Sequence, residues 1–161
     1  MMMDKIRTIL CLMLIVSTVF ISDYFSKFWI INNIEYSSGF SVTDFFNIVH
    51  VKNLGVSFSL FSNNHPLGPY ILASIVILII MILIRFIYKT PDFLARSCLA
   101  LILGGALGNV YDRLVYGGVI DFLDFHIWGY HWPAFNIADC AVVGGVLLYS
   151  VRSLLLTPIR D

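Results

Sequence analysis

The stretch YILASIVILIIMILIRFIY at residues 70–88 decides what kind of fold this chain adopts. Its one charged residue, Arg85, lies near the C-terminal end of an otherwise apolar run. A helix needs about 20 mostly apolar residues to cross about 30 Å of hydrocarbon. The segment therefore predicts a membrane-spanning helix.

Three other stretches have a similar length and apolar character. They run from near Thr8 to near Phe28, from about Phe93 through CLALILGGALGNV, and from about Asn136 to Leu156. The 161 residues are 59% hydrophobic and 12% charged, and a water-soluble domain of this size does not need that composition. No repeat or linker divides the chain. We predict an all-α membrane protein with four transmembrane helices in one domain, residues 1–161.

The basic residues predict the orientation of these helices, because cytoplasmic loops carry an excess of Lys and Arg. One side of the membrane would hold Lys5, Arg7, Arg85, Lys89, Arg96, Arg152 and Arg160, and the other Lys27, Lys52 and Arg113. Both termini are therefore predicted to be cytoplasmic. The longer connections, residues 31–69 and 111–135, would lie outside.

The two outside connections differ in character. FSVTDFFNIVHVKNLGVSFSLF at residues 40–61 alternates in part and predicts a small extracytoplasmic β-sheet on the membrane surface. Trp128, Tyr130 and Trp132 in the second connection predict an interfacial aromatic segment. The formal net charge is zero, with no basic patch, which argues against a nucleic-acid partner.

Polar residues within or beside spans are costly, so they point to a functional site. Asn109, Asp112 and Arg113 are spaced i, i+3 and i+4 and would share one helical face. Gly104 and Gly108 would let another helix approach this region closely. A structural alternative is an Asp112–Arg113 ion pair that fixes the helix end.

Carboxylates near the start of the last span suggest acid–base chemistry. Asn136 suits a helix N-cap, whereas Asp139 is expected to lie too deep for routine capping. Either Asp121 or Asp124 could face Asp139 across one water. Two such carboxylates cannot both ionise readily, so one would act as acid while the other activates the water, as in aspartic peptidases.

Other chemistries are less well supported by the sequence. The four histidines, at positions 50, 65, 126 and 131, show no helical metal-ligand spacing, so no metal and no cofactor are predicted. Cys11, Cys98 and Cys140 lie in apolar runs, without a pattern that would activate a nucleophile. A small proton-coupled transporter or channel subunit that uses Asp112 and Asp139 as relay groups remains an alternative, and it predicts acids spread across the membrane depth.

Four motifs together resemble the lipoprotein signal peptidase (signal peptidase II) family over essentially the whole chain. They are Asn53-Leu54-Gly55 with Phe58, GGALGNVYDR at 104–113, GGVIDF ending at Phe122, and FNIAD at 135–139. Small departures are Cys140, where Ser is common in the family, Gly118, where an aromatic residue is common, and the NLGVSFSLF stretch, where the family favours Ala at one or two places.

The resemblance implies an aspartic endopeptidase of the bacterial cytoplasmic (inner) membrane that acts at the extracytoplasmic face. It would remove signal peptides from prolipoproteins just before a diacylglyceryl-modified cysteine, in contact with membrane lipid, and globomycin, a cyclic peptide, would inhibit it. Asp121 and Asp139 would be catalytic, and Asp124 would not. The implied substrate-binding residues are Asn53, Gly55, Asn109, Asp112, Arg113 and Asn136, with Asp23 and Lys27 supporting the first helix.

Overall fold

Four long helices form the body of the protein. The computed structural model describes residues 2–55 and 67–156. The helices are α1 (Met2–Asn33), α2 (Gly68–Lys89), α3 (Phe93–Val115) and α4 (Ile137–Leu156). Each is long and apolar enough to cross a membrane, which confirms the four predicted spans.

The helix ends differ from the hydropathy limits because local chemistry sets them. Helix α1 extends from Met2 to Asn33, well past the predicted Thr8–Phe28, since flanking polar residues are compatible with helix. Helix α3 begins after Asp92, whose carboxylate accepts the Ala95 N–H at 2.8 Å as an N-cap. Arg152 of α4 holds the same carboxylate through two hydrogen bonds of 2.8 and 3.0 Å. This contact joins α3 and α4 at the end opposite the sheet.

Helix α3 lies at the centre and packs against the other three helices. Glycines make its close contacts with α1 possible. A Cβ atom at Gly104 would lie 2.8 Å from Val19 Cβ, and one at Gly108 would lie 2.5 Å from Asp23 Oδ2. The predicted close approach at Gly104 and Gly108 is therefore confirmed, and α1 is the helix that approaches.

A methyl group at Gly108 is expected to destabilise the protein. Either α1 and α3 must separate or Asp23 must move, and such overpacking typically costs about 1–3 kcal/mol. Gly144 of α4 is the matched control, because nothing lies within 4 Å of its would-be Cβ. Thermal unfolding in detergent should show a lower Tm for Gly108→Ala and an unchanged or higher Tm for Gly144→Ala. Equal Tm values for the two variants would contradict this packing.

Both connections at the other end of the bundle contribute to a four-stranded sheet. Its strands are β1 (Gly39–Thr43), β2 (Phe46–Asn53), β3 (Val119–Ile127) and β4 (Tyr130–His131), antiparallel and in that spatial order. The predicted sheet is confirmed, but half of its strands come from the second connection, which was expected to be only an aromatic segment. Phe58 and the end of the predicted strand region lie outside the described residues.

The sheet rests on the end of α1. Ile30 of α1 and Ile34, the residue that follows α1, form a buried cluster with Ile120 and Phe122 of β3. The cluster fixes the start of β3 beside the end of α1, and therefore fixes the position of Asp121 between two of its residues.

Candidate active site

Asn136 connects two of the predicted site residues. Its side chain is fully buried, and its Nδ2 donates to Asp121 Oδ1 at 2.7 Å. Its Oδ1 accepts the Asp139 backbone N–H at 2.9 Å. One carboxamide therefore links β3 to the first turn of α4, with Asp121 on one side and Asp139 on the other.

Asp139 both caps its own helix and faces α3. The Asn136 N–H donates to Asp139 Oδ2 at 3.3 Å, which completes a reciprocal capping pair with the bond from the Asp139 N–H. The expectation that Asp139 lies too deep for capping was therefore wrong, because α4 starts only at Ile137. The other oxygen, Oδ1, accepts from Asn109 Nδ2 at 2.7 Å.

Lys27 lies at the centre of a buried charge cluster behind Asn109. Its Nζ is 2.7 Å from Asp23 Oδ2 and 2.8 Å from Asp112 Oδ2, and all three side chains are at most 2% exposed. It also donates to Asn109 Oδ1 at 3.2 Å, which turns the Asn109 amide nitrogen toward Asp139. The ion pair of Asp112 is thus with Lys27, in place of the Asp112–Arg113 pair considered from the sequence.

The two acids of this cluster each hold a backbone amide next to a candidate catalytic residue. Asp23 Oδ1 accepts the N–H of Ala138, which precedes Asp139, at 2.8 Å. Asp112 Oδ2 accepts the N–H of Ile120, which precedes Asp121, at 3.1 Å. Sequence reasoning missed both contacts, because a backbone donor has no sequence signature. Asp23 therefore contacts α4 and Asp112 contacts β3, in addition to the ion pairs that both make with Lys27.

Burial has the largest effect on the pKa of the Asp121 carboxyl group, because this residue is only 2% exposed. It raises the pKa of this carboxyl to about 6, and the negative charge of Asp139 acts in the same direction. Side-chain hydrogen bonds from Asn53 and Asn136 offset part of the rise. Asp121 therefore retains a proton at a pH where an ordinary carboxyl group is ionised.

Asp124 belongs to a different environment, because residues three apart on a strand point to opposite faces. Its carboxylate accepts from Asn47 Nδ2 at 2.8 Å and lies 2.8 Å from His131 Nδ1. Burial alone would raise the pKa of Asp124, but these hydrogen bonds outweigh it and hold the pKa below its usual value. Of these two acids, Asp121 is the one that accepts a hydrogen bond from Asn136.

The remaining predicted site residues lie near Asp121 and Asn109. Asn53 bonds to Asp121, and its Oδ1 accepts the Gly55 N–H at 2.9 Å. Gly55 has a φ of +80°, which favours glycine. Arg113 donates from a guanidinium nitrogen to the Asn109 carbonyl oxygen at 2.9 Å. Gly118 packs against β2, since a Cβ there would lie 2.8 Å from Lys52 Cγ.

The histidines do not assemble into a metal centre in the part of the chain that the structure describes. His50 Nδ1 is bonded to the Ile34 carbonyl at 2.8 Å, and His131 is bonded to Asp124. No group of three or more His, Cys, Asp or Glu residues suited to a metal ion occurs in residues 2–55 and 67–156.

Four apolar helices long enough to cross a membrane, with buried Asp121 and partly buried Asp139 joined by one asparagine at the sheet end, define the class as an integral membrane protein with a candidate acid–base site. Comparison with known proteins gives the family. The sequence model of signal peptidase (SPase) II matches residues 15–155. The chain belongs to the signal peptidase II family.

Relatives and solved structures agree with this assignment. The chain is 41% identical over 155 residues to the lipoprotein signal peptidase of Francisella tularensis subsp. mediasiatica, covering 94% of this chain and 96% of the relative. It is 42% identical over 132 residues to that of Alteromonas mediterranea, covering 80% and 72%. A bacterial membrane enzyme solved in meso at 1.9 Å resolution matches with a TM-score of 0.79 and 33% identity, covering 91% and 94%.

Proposed function

We propose that this protein is an aspartic endopeptidase that removes the signal peptide from prolipoproteins, cutting just before a diacylglyceryl-modified cysteine. The observation that carries the proposal is the Asn136 carboxamide, which bonds the Asp121 carboxyl and the Asp139 backbone. Membership of the signal peptidase II family supports the substrate class. Asp121 and Asp139 are the proposed catalytic pair.

The surroundings of the two carboxyl groups suggest which one carries the proton. Burial favours protonated Asp121, whose pKa is raised to about 6. Asp139 accepts hydrogen bonds from Asn109 and from the backbone at the start of α4, where the helix dipole favours a negative charge. Asp121 is therefore the proposed acid and Asp139 the proposed base.

In the proposed reaction, Asp139 takes a proton from a water molecule as the water oxygen attacks the scissile carbonyl carbon. Asp121 gives its proton to the carbonyl oxygen, and a tetrahedral gem-diol forms. The carbon–nitrogen bond then breaks, Asp121 recovers a proton from a diol hydroxyl, and Asp139 gives its proton to the leaving amine. The products are the signal-peptide carboxylic acid and the free amino group of the lipidated cysteine, and both acids return to their initial states.

The proposed substrate-binding residues divide into two groups. Asn53, Gly55 and Arg113 lie beside the pair, and the guanidinium of Arg113 interacts with the charges of Asp139 and Asp121. Because Asn53 Oδ1 accepts the Gly55 N–H and the Asn53 side chain bonds Asp121, the guanidinium of Arg113 is the donor that would hold the backbone of the substrate. Asn109 and Asn136 bond the pair directly, whereas Lys27 and the Ile120 N–H occupy Asp112. Asp112 therefore contributes to substrate binding through the position of β3.

The orientation in the bacterial inner membrane is part of the proposal. Basic residues Lys5, Arg7, Lys89 and Arg152 belong to the ends of the helices opposite the sheet. Under the positive-inside rule that end is cytoplasmic, with both termini, and the site faces the extracytoplasmic side. Among the residues that the structure describes, the buried acids Asp23, Asp112, Asp121 and Asp124 all lie toward the sheet end of the bundle, whereas a proton-relay transporter would require acids at several depths.

Cleavage of a purified prolipoprotein tests the proposal. We expect the purified protein to cut a diacylglyceryl-modified substrate and to leave the unmodified precursor intact, with the new N-terminus at the modified cysteine by mass spectrometry. Globomycin should block the reaction. Equal cleavage of both precursors, or a cut at another bond, would contradict the proposed specificity.

The pH dependence of kcat/KM tests the proton assignment. The acid form of Asp121 is lost as the pH rises through its pKa of about 6, so kcat/KM for the free enzyme should fall over that range. Bound substrate excludes water and should move the corresponding fall in kcat to higher pH. Asp124→Asn, the matched control, should leave both profiles unchanged. A kcat/KM that rises steadily through pH 6 would contradict the assignment.

A further inference from the structure

We propose that a cavity at the end of the bundle opposite the sheet binds one anionic phospholipid, with the lipid phosphate beside Lys89. Its lining residues include Phe86 and Lys89 of α2, Asp92 and Ala95 at the start of α3, and Tyr149 of α4. The cavity, here called the basal cavity, lies at the far end of the helices from the candidate active site. The proposal goes beyond the proposed peptidase function.

Helices α2 and α4 form the walls of the basal cavity, and both pack against α3. Phe86 of α2 and Tyr149 of α4 contact each other, with ring centroids 5.9 Å apart. The cavity volume is about 390 Å³. Pockets that hold small molecules typically span about 300–1,000 Å³, so the basal cavity is large enough for a lipid head group.

Contacts within the protein hold the short turn between α2 and α3 at the edge of the basal cavity. The Arg152 guanidinium donates to both Asp92 carboxylate oxygens, at 2.8 and 3.0 Å. Arg96 Nε donates to the Thr90 carbonyl oxygen, and the Thr90 hydroxyl donates to the Phe86 carbonyl oxygen. The negative charge of Asp92 is therefore balanced by Arg152, so it does not exclude an anion from the cavity.

Lys89 is the lining residue that offers an unpaired positive charge. Its ammonium group makes no hydrogen bond or ion pair with any residue in the part of the chain that the structure describes. An anionic phosphate group is the kind of ligand that such a cation binds, and basic pockets between membrane helices on the cytoplasmic side bind anionic phospholipid head groups.

The whole of this end of the bundle has an excess of positive charge. Among the described residues it carries six basic and two acidic side chains, namely Lys5, Arg7, Arg85, Lys89, Arg96 and Arg152, and Asp4 and Asp92. The proposed orientation makes this end cytoplasmic. The charge excess favours an anionic lipid over a cation or a lipid without net charge.

Apolar surface leads from the basal cavity toward the middle of the membrane, which suits a lipid better than a free anion. Ile82 lies four residues before Phe86, and Val146 lies three residues before Tyr149, so each shares a helical face with one of the rings. Ile82 is 61% exposed and Val146 47%. The acyl chains would follow this surface, whereas a free phosphate ion would gain nothing from it.

Native mass spectrometry of the full chain tests the proposal. Protein freed of lipid in a non-ionic detergent would be titrated with dioleoyl phosphatidylglycerol, which is anionic, or with dioleoyl phosphatidylcholine, which has no net charge. We expect the wild type to retain one phosphatidylglycerol at concentrations where it retains no phosphatidylcholine. Lys89→Gln should raise the apparent Kd for phosphatidylglycerol about fivefold, the factor that one basic residue contributes near an anionic lipid surface.

Lys5→Gln is the matched control, because Lys5 is an exposed cation at the same end and does not line the basal cavity. Its apparent Kd should equal that of the wild type. Equal affinities of the Lys89→Gln and Lys5→Gln variants, or of the two lipids for the wild type, would overturn the proposal. Displacement of the lipid by millimolar inorganic phosphate would also overturn it, because the site would then bind a free anion. The titration uses no peptide substrate, so its outcome is independent of whether the protein is a peptidase.

Discussion

Asp139→Asn and Asp121→Asn are each expected to lower kcat by roughly 10²–10⁴-fold, the range that general acid–base groups contribute. Asparagine keeps the size of the side chain, and Asn136 can still bond a carboxamide oxygen at position 121. The change removes the base at position 139 or the titratable proton at position 121. Single-turnover cleavage of a lipidated prolipoprotein by folded, purified variants measures the loss.

Asp124→Asn is the control for this pair of variants. Asp124 lies on the same strand as Asp121 but bonds to Asn47 and His131 on the other face. We expect its turnover to stay close to that of the wild type. A loss at Asp124 as large as the loss at Asp121 would show that the choice between the two acids is wrong.

Lys27→Met is expected to cause the largest loss of stability. It removes the cation between two buried carboxylates, Asp23 and Asp112, and breaking a buried ion pair typically costs about 3–5 kcal/mol. The same two carboxylates hold the N–H groups before Asp139 and Asp121, so repulsion between them should also displace the proposed catalytic pair. Both Tm in detergent and kcat at a temperature where the variant is folded should fall.

Two further variants separate a charge effect from a packing effect. Lys5→Met makes the same change at an exposed position of α1 and should leave Tm nearly unchanged. Adding Asp112→Asn to Lys27→Met removes one of the two facing charges and should recover part of the lost stability. If Lys27→Met and Lys5→Met unfold at the same temperature, the buried cluster does not stabilise the fold as argued.

Hydropathy was sufficient to predict the four helices, because a span must be apolar over its whole length. It was insufficient for β3, where the run VIDFLDFHI carries Asp on both faces of the strand and so hides the alternation. Asp121 is buried toward Asn136 and Asp124 toward Asn47. Pairing with β2, a long-range contact, determines that this segment forms a strand.

The candidate site residues were proposed from the sequence, whereas the hydrogen bonds between them could not be predicted. Helical spacing places Asn109 and Asp112 on one face, and the structure adds that Lys27 of α1 bonds to both. Spacing alone left Asp121 and Asp124 as alternatives, and the orientation of β3 places Asp121, but not Asp124, against Asn136. The capping bond of Asp139 depends on where α4 begins, and element boundaries are set by local contacts that composition does not record.

The double variant Asp121→Asn/Asp139→Asn tests most directly whether the two carboxyl groups act as one unit. We would measure single-turnover cleavage for the wild type, both single variants and the double variant on the same lipidated prolipoprotein. A pair that shares one proton and one water predicts that the double variant is no slower than the slower single variant, within a factor of about three, because residues acting together are non-additive. Losses that multiply in the double variant, or near-normal turnover in either single variant, would contradict the shared-proton pair.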